Sequence, residues 1–473
     1  MKKLICLLLA LIMVLALVAC GEKPAAGGDD AAAGDDAASG GDDAATGGDD
    51  AGGDDAAAPA GYTGSADFDW SAYKGVDFEI MWQESDDTQI DIVKNFAMPA
   101  LQEISDEYGI NFTWVGNVDQ SYTTLAATGE LADVWFGNVT LEMIQSDIML
   151  DLTPYLTVDS YLEDTFTTPS FYYFNGVIWS LSTGVDSFYN GVLYYNKALL
   201  EANGITDIST YDKFAEALKT LNDAGVGGLT FCNGVWYNRF LWQNSFVSVK
   251  PEAYLAMLDG DKDVFTTYAA EAAQSINNMR DFIVAGYTPA AMNVHQTEDA
   301  IAEFAAGDYA FLYTDSWQNA NVWDQTQATG VDVGVAWWPS DNADYETGAY
   351  IAGWGSPLSG WCAKADTEYP ELAVEVIKVI NRAEAARHLN AGLGTNHVQE
   401  GAPTPNNPLE AARFELRANV GEFLKCYWQN TVDSATGTVF KDELLSAVSE
   451  DDIDVDALVA NLDAGWRDNT FFG

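Results

Sequence analysis

Between Gly21 and Gly61 the chain has no aromatic and no large aliphatic residue. Such a stretch cannot bury apolar surface, so nothing offsets the entropy of ordering it. Any fold must therefore be built from the residues that follow. The run repeats a crude unit, seen in GGDDAAAGDD, GGDDAATGGDD and AGGDDAAAPAG. Its glycines make it flexible and its paired aspartates make it self-repelling, so about 40 residues reach roughly 35 Å as a coil. Ahead of it, Lys2 and Lys3 precede an apolar run from Leu4 to Val18. That run is short of the roughly 20 residues a membrane-spanning helix needs and suits the core of a secretion signal.

The run ends on Leu17-Val18-Ala19-Cys20. This tetrad resembles the lipobox of bacterial lipoproteins. The resemblance implies that residues 1–19 are a lipoprotein signal peptide and that Cys20 is lipidated. Residues 20–70 are then the lipidated cysteine and a disordered Gly/Ala/Asp linker. Several acyl chains anchor stably where one binds only marginally. The expected location is the cell membrane, lipid-anchored, on its extracytoplasmic face. The alternative is an ordinary signal peptide with an incidental cysteine, or an uncleaved anchor.

The body of about 410 residues is too long for one core of usual size, which favours two lobes. The whole chain carries a net charge of −51. Residues 21–61 account for −10 of it (ten Asp, one Glu, one Lys), so the body is acidic in its own right. That excludes nucleic acid as a partner, since phosphate contacts need Lys and Arg. Besides Cys20, the mature chain has Cys232, Cys362 and Cys426, enough for one disulfide and with no metal-ligand spacing.

Along the body, VDFEIMWQESD alternates as a strand does, and residues 91–109 have helical periodicity ending at Gly109. INFTWVGN and LADVWFGN read as further strands. After GVLYYNKALLEANG the pattern recurs, with a helix over 210–224 and the strand GLTFCNG opening onto VWYNRFLWQNSF as a loop. Residues 265–285 and 297–306 are helical, YAFLYTDSW and VDVGVAWWP strand-like, and 370–392 a long amphipathic helix. Strands alternating with helices predict a parallel α/β sheet.

Several stretches, in order, resemble extracellular solute-binding protein family 1, the sugar-binding lipoproteins of ABC importers. They are GELADVWFGN, LDLTPYL, VLYYNKALLEANGI, FAAGDYAFLYTDSW, VDVGVAWWP and EYPELAVEVIKVI. Two departures stand out: Ala132 replaces a usual Pro, and Asp315 stands where the family often has Gly. The resemblance implies a two-lobe, periplasmic-binding-protein-like α/β fold of type II with a hinge. Lobe 1 is expected from residues 71–187 plus 357–406, and lobe 2 from 188–356 plus 407–473. The chain should cross near 186–190, near Gly355–Pro357 and near residue 406.

A sugar offers apolar C–H faces and a rim of hydroxyls, so its cleft needs flat aromatics with carboxylates and amides around them. Trp317, ten residues beyond Gly307, matches the position of a stacking tryptophan in the family. Trp236 and Tyr237 follow the strand 229–233, where relatives place stacking aromatics. Trp354 lies between two glycines near the predicted crossover. Trp82 and Glu84 follow the first strand, Asn138 the third, and Asp186, Tyr189 and Asn190 sit at the first crossover. Asp315 can accept hydroxyls or cap a helix, and Trp338 adjoins a strand–proline boundary. Trp242, Trp361, Trp428 and Trp466 are expected to be packing residues. DGDKDVF lacks the Gly and Glu of a calcium loop. The three histidines have no partners at metal spacing, so neither metal nor cofactor is expected.

These features point to a monomeric, lipid-anchored receptor that captures a sugar or oligosaccharide between its lobes and hands it to an ABC importer permease. It is expected not to be an enzyme. The alternatives are a secreted glycoside hydrolase, or the same receptor fold holding a cation such as a polyamine.

Overall fold

Alternation decides where the first strand's side chains go. In Asp77–Gln83, Phe78, Ile80 and Trp82 join the core on one face and Met81 the core on the other. Burial on both faces marks a strand inside a parallel sheet. The computed structural model describes residues 65–470 except 66–67, 85–86, 118–119, 158–159, 167–168, 183–190, 233–234, 290–294, 342–349, 353–356, 391–396, 398–403, 418–421, 425–431 and 451. Cys20 and the acidic run lie outside the described residues.

The strands are β1 (Asp77–Gln83), β2 (Asn111–Asn117), β3 (Val134–Asn138), β4 (Gly191–Asn196), β5 (Gly227–Phe231), β6 (Tyr309–Asp315), β7 (Val333–Ala336), β8 (Tyr350–Ala352), β9 (Ser359–Ala363) and β10 (Glu422–Leu424). The helices that matter below are α1 (Met98–Tyr108), α2 (Leu141–Gln145), α3 (Tyr211–Asp223), α4 (Val235–Val249), α5 (Thr297–Ala306), α6 (Asn319–Thr329), α7 (Pro370–Asn390), α8 (Pro408–Arg417) and α9 (Ser434–Ser449). Sequence signals explain several of their ends. α1 stops at Gly109 in the left-handed conformation, and Thr210 caps α3 by accepting from the Lys213 N–H.

The first sheet has the order β2-β1-β3-β9, with β1, β2 and β3 parallel and β9 antiparallel to β3. The second has the order β5-β6-β4-β7, with β5 and β6 parallel and β4 antiparallel to both its neighbours. β8 and β10 form a separate parallel pair. Each four-stranded sheet has its own buried clusters. Those of the first draw on residues 70–181 and 358–386, and those of the second on 192–338 and 409–466. The chain thus passes between two cores three times, which defines two lobes.

Trp242, Trp361 and Trp466 are fully buried. Trp466 also donates its indole N–H to the Asp261 carbonyl at 2.8 Å; truncating a ring placed like this costs about 3–5 kcal/mol. Cys232 and Cys362 are both buried. Trp428 and Cys426 lie outside the described residues.

Two features differ from the sequence expectation. Both four-stranded sheets are mixed rather than parallel, because β9 and β4 run against their neighbours. After β5, residues 235–249 form a helix rather than a loop. Residues 241–248 are buried without interruption, so the helix is covered all round and no amphipathic period betrays it.

At the other end of the body, Ser65 is fastened to α7. Its N–H and hydroxyl donate to the two oxygens of Glu375, both at 2.8 Å. Lys378 bridges to the same hydroxyl at 3.1 Å and to Glu375 at 2.7 Å. Glu375 and Lys378 are themselves buried, so the start of the described chain is held by a compensated charge pair of lobe 1.

Candidate functional site

Parallel pairing brings the loops after β5 and β6 to one edge of the second sheet. Phe231, the end of β5, stands opposite Tyr313, two residues before the end of β6. From β6 the chain enters a single 3-10 turn, Ser316–Gln318, before α6. Asp315 is the last residue of β6 and Trp317 the middle of that turn. From β5 it enters α4, whose first turn carries Trp236 and Tyr237. Gly191, at the start of β4, pairs with Asp315, so β4 begins at this same edge. Ligands in open α/β sheets collect outside such carboxyl ends.

The first sheet repeats the arrangement. Met81 stands opposite Trp135, so Glu84 and Asn138 follow the paired strands out at one edge. Both are exposed. The Glu84 N–H donates to the Asn117 carbonyl at 3.0 Å, tying its turn to β2. Its carboxylate lies so close to Gly116 that a β-carbon there would sit 2.1 Å from Oε2. A side chain at 116 would push Glu84 aside. Beyond Asn138, Thr140 caps α2 and accepts from the Met143 N–H at 3.3 Å.

Two expected contacts prove to be packing residues. Trp82 is 4% exposed and shares the face of β1 with Phe78 and Ile80, beneath the helices, with the Lys94 Nζ 5.6 Å from its ring centre. Its parity along the strand turns it into the apolar cluster with Phe78 and Ile80. Trp338 is 1% exposed, edge-on to Phe214, Phe282 and Tyr313 at 5.5, 5.8 and 5.4 Å. It fills the core of lobe 2. Asp186, Tyr189, Asn190 and Trp354 lie outside the described residues.

Sequence reading missed Asn319, the first residue of α6, although it is 1% exposed directly behind the Trp317 turn. Its amide donates to Glu410 of α8, 91 positions away. No local pattern signals such a pair. A cavity of about 630 Å³ also opens in lobe 2, lined by Tyr195, Lys197, Trp323 and Leu416. It lies where β7 begins opposite Asn196, at the end of the sheet away from the Trp317 turn. Among the described residues, no group of three His, Cys, Asp or Glu side chains could hold a metal ion.

The family model of the bacterial extracellular solute-binding proteins matches residues 100–403. The chain belongs to this family. The fold of this solute-binding protein is similar to that of a chitin oligosaccharide binding protein, with 17% identity and a TM-score of 0.67 over 83% of this chain and 98% of the other. A cyclo/maltodextrin-binding protein complexed with maltotetraose aligns at 17% identity and a TM-score of 0.59, over 83% and 96%. The solute-binding protein RafE in complex with raffinose aligns at 17% identity and a TM-score of 0.57, over 83% and 99%. At such identities the likeness concerns the fold: the two-lobe architecture of solute-binding proteins. No curated protein matches this solute-binding protein by sequence.

Proposed function

We propose that this solute-binding protein captures a sugar or oligosaccharide between its lobes and delivers it to an ABC importer permease, held at the membrane by lipid on Cys20. The observation that carries this reading is the convergence at one sheet edge of two aromatic-bearing turns, Asp315–Trp317 after β6 and Trp236–Tyr237 after β5. Glu84 and Asn138 supply exposed polar groups at the matching edge of lobe 1. That combination of flat rings and hydroxyl partners suits carbohydrate. The named ligands of the similar folds, chitin oligosaccharide, maltotetraose and raffinose, are all saccharides. The protein performs no chemistry in this reading. Lobe closure changes the outer surface, which lets a permease distinguish loaded from empty receptor.

The test is a thermal-shift screen over mono- and oligosaccharides with polyamines as the competing class, since a ligand at 100 times its Kd adds about 2.7 kcal/mol. Trp317→Ala should weaken binding of the best saccharide about thirtyfold or more, as loss of a central aromatic anchor does. Its ligand-free Tm should stay close to wild type; a large fall would make Trp317 a core residue. Release of reducing ends with turnover would replace the receptor reading by a hydrolase.

A further inference from the structure

We infer that Asn319 is a positioning residue for the Trp317 turn, clamped from behind by the Glu410–Arg413 pair of α8. The role of Trp317 rests on the function proposed above; the clamp itself rests on the following geometry.

Both halves of the Asn319 amide are taken, by different elements. Nδ2 donates to Glu410 Oε2, and Oδ1 accepts from the Tyr194 hydroxyl of β4 at 3.3 Å. Glu410 is 1% exposed and Arg413 is 4% exposed. The Arg413 Nε donates to Glu410 Oε1 at 3.0 Å, and its Nη2 reaches the same oxygen. The carboxylate is thus compensated by one buried cation and spends its other oxygen on Asn319.

Stability does not explain this arrangement. A buried ion pair is often matched or bettered by apolar side chains of the same volume, whereas a fully bonded polar network fixes one geometry. Two local observations show where that geometry is needed. Gln318, the residue before α6, caps no backbone N–H, and its Oε1 accepts a side-chain bond from Asn321 at 3.2 Å. Glu410 occupies the third position of α8 behind the capping Asn407, where a glutamate ordinarily bonds back to its own helix start. Here its side chain bonds Asn319 and Arg413 instead. The turn that carries Trp317 is therefore oriented by α8, the first helix after the chain's third passage between the cores.

The experiment reads position and binding separately. In 15N–1H spectra, the Trp317 indole resonance is identified by its absence in Trp317→Phe. It should shift or broaden in Asn319→Ala, and less so in Tyr194→Phe, which removes one hydroxyl and serves if Asn319→Ala does not fold. An unmoved indole signal in the folded variants would overturn the clamp, whatever the affinity. For the saccharide selected by thermal shift, Asn319→Ala should weaken Kd about tenfold and have no further effect in a Trp317→Ala background. Additive losses would mean that Asn319 acts elsewhere and would also overturn it. A Trp317→Ala protein with unchanged Kd sinks the binding reading instead, and the indole spectrum still decides the clamp.

Discussion

Glu142 and Ser434 are 292 positions apart and meet across the two lobes. The carboxylate accepts from the Ser434 hydroxyl at 2.7 Å and from its backbone N–H at 3.4 Å. Glu142 belongs to α2, which packs into the first core through Met143, and Ser434 opens α9, whose Phe440 and Leu444 belong to the second. The bond also places a negative charge at a helix start, where it is favoured. Glu142→Ala should loosen the ligand-free protein. The expected readout is a larger radius of gyration in small-angle scattering, with Tm nearly unchanged because the contact is exposed. Burial pushes this carboxyl up, but its bonds to Ser434, Thr140 and backbone together hold it below the usual range. The link is therefore complete above the ordinary carboxylate pKa and is lost as pH falls through the lowered value. An unchanged radius in the variant would show that the lobes are held by other means.

Two histidines in lobe 1 should make the protein acid-sensitive. Desolvation, and then the charge of Arg387, lowers His388 to about 3. Desolvation, and then the charge of Arg382, lowers His397 to about 4. The unfolded chain takes up these protons near pH 6.5, while the folded chain refuses them. Stability is thus full above about 6.5 and is lost toward 3, at up to about 1.4 kcal/mol per pH unit for each histidine. Calorimetric Tm values between pH 7 and 4.5 should fall, and His388→Gln should flatten the slope. A variant profile parallel to wild type would refute a neutral His388.

Gly360 sits in β9 with a φ of +156°. A β-carbon there would lie 2.8 Å from the backbone carbon and oxygen of Leu181, whose amide and carbonyl pair with Trp361. Backbone cannot move aside as a side-chain tip can. Gly360→Ala should cost well over about 1 kcal/mol in denaturant unfolding; a neutral result would mean that β9 shifts without penalty.

The regular elements were legible because their periods are. β1 alternates, and the left-handed Gly109 ends its helix where expected. α7 stands where a helix was expected, but residues 372–381 are buried without a break, so it is not amphipathic as expected. α4 was not legible, since a helix buried all round has no polar face. The burial of Trp82 could have been read from its parity with Phe78 and Ile80. That of Trp338 could not, because Phe214, Phe282 and Tyr313 come from three distant segments. Strand ends marked the edges where the candidate residues gather. The long-range bonds of Asn319 to Glu410 and of Glu142 to Ser434 join residues with no shared sequence context.

The bonds of Ser65 to Glu375 and Lys378 join the first described residue to the middle of α7. A force applied at Ser65 is borne first by α7 and the core beneath it. In the receptor proposed above, closure would then move lobe 2 against a held lobe 1.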